Sequence, residues 1–227
     1  MHSLRPRTTH RGQIMGLPIQ QDLFGAAQSL TTANFDFTSA RRQALDAHTW
    51  IEVVPGWMSG SHALLDRLVT SVAWEQRDRR MFEQVFREPR LTGEYRDVRD
   101  APESVLLDAC QALSEHYAIR YDGLWMNFYR DGQDSTSWHR DTISRHRSET
   151  IVPVLTLGAT RRFLIKPRAG GKSFVFRPAS GDLIVMGGRA QTDWVHSVPK
   201  EPDVAERRIS INFQSSAQVS GKPLGVR

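Results

Sequence analysis

The sequence predicts a mainly β, α+β fold of sandwich or jelly-roll type, with two helices packed on one outer sheet face. After Tyr121 the chain breaks into short runs rich in β-branched and aromatic residues. Gly, Pro and Asp separate those runs, as turns between strands require. Before Tyr121, two stretches instead repeat apolar residues at helical spacing.

The elements follow in order. Residues 1–35 lack sustained periodicity and carry Arg, Thr, Gly and Gln, so they read as a flexible arm. A single domain is expected over 36–215, with a tail over 216–227. His48 to Trp57 reads as a short strand ending in a Pro-Gly turn. A helix follows from about Ser61, which can cap it, with Leu64, Leu65, Leu68, Val69 and Val72 on one face. Residues 77–100 are charged and aromatic and predict a surface loop or lid. A second helix is expected from Ala101 to Tyr117, with Pro102 at its first position and Val105, Leu106, Ala109, Cys110 and Leu113 as its buried stripe. Strands are then expected at Leu124–Tyr129, Glu149–Leu157, Arg162–Ile165, Ser173–Phe176, Asp182–Met186, Asp193–Val198 and Arg208–Phe213.

Composition narrows the class. The 227 residues can bury one substantial core, and 24% charged against 39% hydrophobic residues fits a soluble globular chain. No apolar run is long enough to cross a membrane, and Met1 to Gln20 lacks the hydrophobic core of a signal peptide. Cys110 is the sole cysteine, so no intrachain disulfide forms and the cytoplasm is the simplest setting. A monomer is the simplest assembly. The formal charge of +5 and pI near 9.8 favour an anionic partner, nucleic acid among them.

His139, Asp141 and His196 are the candidate metal ligands. The first two form an H-x-D pair within Trp138-His139-Arg140-Asp141, and the third stands in Trp194-Val195-His196. On a continuing strand, residues two apart share a face, so His139 and Asp141 would project together with Arg140 turned away. Two imidazoles and one carboxylate hold one face of an ion and leave the other open, a set suited to iron(II) or manganese. On iron(II) the open positions admit oxygen and an oxidisable acid, which points to a non-haem iron oxygenase. Arg208, at the start of the last strand, could pair with the far carboxylate of a dicarboxylic acid. Asn127 and Tyr129 lie two apart on the strand before H-x-D and could donate to the same acid. The bland alternatives are a surface ion-pair arginine and satisfied core polar groups.

The segment from Asn127 to Asp141 resembles the core of the AlkB family of iron(II)- and 2-oxoglutarate-dependent dioxygenases, in the nucleic-acid repair demethylase branch. Pro89-Arg90-Leu91-Thr92-Gly93 with Tyr95 is similar to the family's substrate-recognition loop. Leu155–Phe163, Ser180–Gly188 and Trp194–Pro199 follow in the family's order, and the likeness spans about residues 45–215. The resemblance implies a double-stranded β-helix, a jelly-roll type, with helices supporting one sheet. It implies iron(II) on His139, Asp141 and His196, with 2-oxoglutarate held by Arg208, Tyr129 and Asn127. Molecular oxygen is the oxidant, and succinate and carbon dioxide are the by-products. An alkyl group on a base nitrogen is hydroxylated and leaves as formaldehyde. A base in a duplex must be flipped out to reach the metal. Tyr95 would stack on that base or anchor the loop, and Arg90 would contact the phosphate backbone.

Two positions depart from the family's pattern. Ile143 stands where relatives place an acidic residue that meets the damaged base, and Glu149 or another nearby polar group is the candidate substitute. Gln214 stands where the family has a second arginine, so it offers an amide but no charge to 2-oxoglutarate. Two alternatives therefore stand beside the dealkylase: the same iron chemistry on a modified RNA base, protein side chain or metabolite, and a weakly catalytic module that binds damage. In the arm, Gln20-Gln21-Asp22-Leu23-Phe24 is similar to the peptide by which bacterial repair proteins dock on the sliding clamp, with a hydrophobic tether to the domain as the alternative.

Overall fold

The computed structural model describes residues 35–81, 84–141 and 148–220. Strands β1 (Arg41–Ala44) and β2 (Thr49–Val54) lead into helix α1 (Ser61–Ser71). A hairpin of β3 (Asp78–Met81) and β4 (Gln84–Arg87) precedes β5 (Leu91–Tyr95), a short 3-10 turn (Val98–Asp100) and helix α2 (Val105–Tyr117). The remaining strands are β6 (Gly123–Tyr129), β7 (Thr136–His139), β8 (Thr150–Gly158), β9 (Phe163–Pro167), β10 (Phe174–Phe176), β11 (Leu183–Gly188), β12 (Trp194–Val198) and β13 (Arg208–Gln214). A short helix α3 (Ala190–Asp193) comes before β12, and α4 (Ser216–Ser220) follows β13.

A seven-stranded sheet runs β1-β2-β11-β8-β13-β6-β5, and a four-stranded sheet runs β10-β9-β12-β7. One apolar cluster lies between the large sheet and the helices. There Leu64, Leu68, Leu106 and Leu113 meet Leu124, Met126, Leu155, Val185 and Ile211. The second lies between the two sheets, where Val154, Ile184 and Met186 meet Phe163, Ile165 and Val198. The helices thus cover one outer face of a two-sheet core, as the apolar patterning predicts. Cys110 is buried under α2, and burial pushes its thiol up to about 12, so it fills space and does not ionise.

The structure corrects several local expectations. Residues 77–100 are not a loop: they supply the β3–β4 hairpin and β5, an edge strand paired with β6 from Leu91↔Phe128 to Tyr95↔Leu124. Leu91, Gly93 and Tyr95 alternate with Thr92 and Glu94 on β5 without the apolar contrast that marks a half-buried strand. Helix α2 begins at Val105 with Ser104 in the cap position, and Pro102 lies ahead of it. Gly60, at φ 67°, caps α1, while Ser61 Oγ bonds Ser180 Oγ at 2.8 Å. The expected tail starts as ordered chain, because Gln218 satisfies both backbone groups of Ile151, accepting from its N–H at 3.1 Å and donating to its carbonyl at 3.2 Å. Phe35 already packs on Trp57, with ring centroids 5.3 Å apart.

The loop between β6 and β7 is tied down by its backbone. Gly132 N donates to Val204 O at 2.7 Å, and Glu201 N donates to Gly132 O at 2.9 Å. Arg161, fully buried, donates to the carbonyls of Asp131, Asp134 and Pro199 and pairs with Glu201. A Cβ on Gly132 would meet Glu201 O at 1.8 Å. Gly132→Ala is therefore expected to cost about 3 kcal/mol or more, read as a fall in the urea midpoint; an unchanged midpoint would show that the loop yields.

Candidate active site

Strand alternation builds the floor of the site. On β13, Ile209, Ile211 and Phe213 enter the helix-side core, so Arg208, Ser210, Asn212 and Gln214 point the other way. On β6, Leu124, Met126 and Phe128 do the same, so Trp125, Asn127 and Tyr129 share the inner side. Register sets Arg208 opposite Tyr129 and Ser210 opposite Asn127.

The small sheet brings the two histidines together. His196 on β12 pairs directly with His139 on β7, and the rings stand 4.2 Å apart. Strand β7 ends at His139, so Asp141 is not aligned by a continuing strand as the H-x-D spacing suggests. Gln191 aligns it instead. Its Oε1 accepts from Asp141 N at 2.8 Å and its Nε2 donates to Asp141 Oδ2 at 3.0 Å. Asp141 Oδ1 is left 3.8 Å from Nε2 of both histidines. One ligand atom from each residue lies within 4.8 Å of the others. Arg140 is exposed but lines the mouth of the same cavity.

The electrostatics suit a cation. His139 Nδ1 donates to Ser137 O at 2.8 Å, which leaves the lone pair on Nε2. Burial, with His139 beside it, holds the His196 imidazole well below its ordinary range, so it is the neutral ligating form. Burial raises the Asp141 carboxyl, against the lowering pull of His139 and Gln191. A divalent ion among the three would reverse that shift. Two imidazole nitrogens and one carboxylate oxygen fit iron(II).

Deeper in, Arg208 is 1% exposed. Its Nη2 donates to Thr156 Oγ1 at 3.2 Å, while Nε and Nη1 are buried with no hydrogen-bond partner among the described residues. Burial draws the guanidinium below its ordinary range. A buried cation with two unused donors fits the distal carboxylate of 2-oxoglutarate. Tyr129 lies beside it, with its hydroxyl 2.8 Å from Thr136 Oγ1. Asn127 Oδ1 accepts from Arg90 Nε at 2.8 Å and from Trp125 Nε1 at 3.2 Å, which leaves the amide N–H group as its donor.

A cavity of about 510 Å³ opens over His139, Asp141 and Asn127. Its lining includes His139, Asp141, Asn127, Trp125, Asn212 and Gln214, and Arg77, Arg90 and Arg140 also line it. The Arg77 guanidinium lies 4.4 Å over the Trp125 ring and pairs with Glu94 at 3.2 Å.

Not every expected substrate residue is placed as the sequence suggests. Arg90 turns inward to Asn127 and Glu88, so those donors are not free for a phosphate. Tyr95 is on the opposite sheet face from Asn127, packed on the helix-side core, because Thr92 and Glu94 take the inner positions of β5. It lines a separate cavity, away from His139 and Asp141, the placement the anchoring alternative expects. Glu149 is exposed ahead of β8 and does not line the metal cavity. Gln214 is exposed at the cavity's outer end. Ile143 and the Gln20–Phe24 motif lie outside the described residues. Gln191, Thr136, Thr156, Arg77 and Trp125 were not singled out from sequence. Of these, Trp125 was within reach, since it shares the alternation of Asn127 and Tyr129.

A jelly roll of two packed sheets that gathers two histidines and a carboxylate beside a buried arginine defines a non-haem metal oxygenase scaffold. The profile of the 2OG-Fe(II) oxygenase superfamily matches residues 51–214, and the chain belongs to that family. Iron(II), 2-oxoglutarate and oxygen are the cofactors that go with it. The chain is similar to alpha-ketoglutarate-dependent dioxygenase alkB homolog 3 of Rattus norvegicus, 30% identical over 183 residues that cover 71% of this chain and 62% of that protein. The human homolog 3 is 29% identical, with 71% and 64% covered. DNA oxidative demethylase ALKBH2 of Arabidopsis thaliana is 27% identical over 118 residues, with 42% and 38% covered. The chain thus spans less than two thirds of the length of these relatives. The solved structure of OsALKBH1 shares the fold at a TM-score of 0.55 and 16% identity, over 77% of this chain and 100% of that one.

Proposed function

We propose that this protein is an iron(II)- and 2-oxoglutarate-dependent dioxygenase that removes alkyl groups from base nitrogens in nucleic acid. The observation that carries the reading is the cavity itself. It joins His139 and Asp141, which stand beside His196, and Asn127 to a wall of Trp125 under Arg77, with Arg90 and Arg140 also lining it. A planar base fits an aromatic wall, and a polyanion fits cationic surroundings. Similarity to DNA oxidative demethylase ALKBH2 supports the same substrate class, and similarity to alkB homolog 3 supports the dioxygenase chemistry.

His139, Asp141 and His196 would hold iron(II). Arg208, steadied by Thr156, would take the far carboxylate of 2-oxoglutarate, with Tyr129 and the Asn127 amide donating beside it. When bound, iron(II) and 2-oxoglutarate supply the oxidising power that places one oxygen atom of O2 on the alkyl carbon and the other on succinate, with loss of carbon dioxide. The hydroxylated carbon, attached to nitrogen, then leaves as formaldehyde and the base regains its lone pair. The walls keep the base in place and water out, and a base in a duplex would have to be flipped to arrive.

The test is a set of single- and double-stranded oligonucleotides with methyl or etheno lesions, incubated with iron(II) and 2-oxoglutarate and read by mass. Loss of the alkyl group with matching succinate is expected, with formaldehyde released from methyl lesions and the two-carbon dialdehyde glyoxal from etheno lesions. Succinate and product from free nucleosides or peptides, but none from any oligonucleotide, would overturn the reading in favour of another substrate. Absence of iron-dependent succinate throughout would favour a binding module.

A further inference from the structure

The segment that carries His196 also carries a residue with no place in the metal cluster and no surface role. Gln191 sits on α3, ahead of β12, and is 6% exposed. An amide side chain removed from water needs its partners inside. Gln191 spends its groups on Asp141. Oε1 accepts from the main-chain N–H at 2.8 Å, and Nε2 donates to Oδ2 at 3.0 Å and lies 3.4 Å from Met186 Sδ.

We infer that Gln191 is a positioning residue for the metal centre: it clamps Asp141 by main chain and side chain and selects Oδ1 as the oxygen that faces both histidines. Asp141 needs such a clamp. It lies past the end of β7, so among the described residues no ladder bond fixes its backbone, and the His139↔His196 pair is the last described pair of the β7–β12 register on that side. With Oδ2 engaged, Oδ1 is the atom 3.8 Å from each Nε2. A carboxylate with both oxygens free can turn and bind an ion through both, which closes a position that the co-substrate or oxygen needs. The anchor is itself fixed. Thr192 and Asp193 bond back to Arg189 O at 2.9 Å, and Thr192 Oγ1 donates to Ser148 O at 2.8 Å. One short stretch, residues 190–196, thus supplies one ligand and orients another.

The inference rests on the family's iron site and not on the dealkylation reading, so its test uses no nucleic acid. The full chain, stripped of metal, is titrated with cobalt(II) and followed by visible absorption. Gln191→Met keeps the length and packing and removes the hydrogen bonds. It is expected to raise the cobalt dissociation constant by about 10- to 100-fold, the usual range for loss of a partner behind a metal ligand. The cobalt absorption bands are expected to shift as Asp141 turns, a signature that a merely space-filling glutamine would not produce. Should the methionine variant fail to fold, Gln191→Asn serves: it keeps the amide but is too short to span both contacts, and the same weakening is expected. Wild-type affinity with unchanged bands in either folded variant would overturn the inference.

Discussion

Replacing Arg208 by methionine is expected to weaken 2-oxoglutarate binding by about 100-fold or more, near 3 kcal/mol, since truncating one partner of a buried charge pair costs 2–5 kcal/mol. The same change is expected to leave the cofactor-free protein at least as stable as wild type. In the free protein the guanidinium is 1% exposed; Nη2 bonds Thr156, and Nε and Nη1 have no hydrogen-bond partner among the described residues. An apolar side chain of similar reach removes that burden, and such replacements of buried charges are often neutral or stabilising. The two effects have opposite signs, which separates them from ordinary misfolding. Titration calorimetry reads the first and thermal melting the second. Added 2-oxoglutarate should raise the melting temperature of wild type and not of the variant. Undiminished affinity in Arg208→Met would remove the arginine from the co-substrate site. Arg208→Lys should recover part of the binding, because an ammonium supplies the charge without the planar fork.

His196→Ala is expected to lower turnover by about 1,000-fold or more, equivalent to at least 4 kcal/mol of lost transition-state stabilisation. His196 is the most enclosed of the three ligands, 4% exposed, and it contacts the other two at once. Its removal leaves His139 and Asp141 facing a hole. Succinate formation and retained iron, measured on the same purified sample, check the expectation. A variant that keeps a full complement of iron and near-normal succinate output would sink the assignment of His196. Asp141→Asn offers a gentler comparison, because the amide preserves the shape beside Gln191 while removing the charge.

What could be read from the sequence follows the strength of its periodicity. β13 and β6 alternate cleanly, so Arg208, Asn127 and Tyr129 fall on one face before any coordinates exist. α1 and α2 carry continuous apolar stripes, and their helix-side core is legible for the same reason. β5 was hidden because an edge strand with Glu94 on one side and Gly93 on the other shows no such contrast, and the face of Tyr95 was lost with it. Arg90 looked like a surface cation until a partner 37 residues away in sequence, Asn127, took its Nε. Gln191 had no signal at all, since a glutamine in a polar stretch between strands reads as solvent-facing. Its role exists only once residues 50 apart in sequence are folded onto Asp141.

The parity of β13 separates two kinds of inheritance within seven residues. Ile209, Ile211 and Phe213 answer to folding, and a change there is felt by both helices. Arg208, Ser210, Asn212 and Gln214 face the other way: Asn212 and Gln214 line the cavity, and Arg208 lies against Thr156 and Tyr129. Substitutions can therefore drift at the even positions with less effect on the helix-side core, while the odd positions hold the scaffold constant. Gln214, at the exposed end of that row, is where such drift meets least resistance.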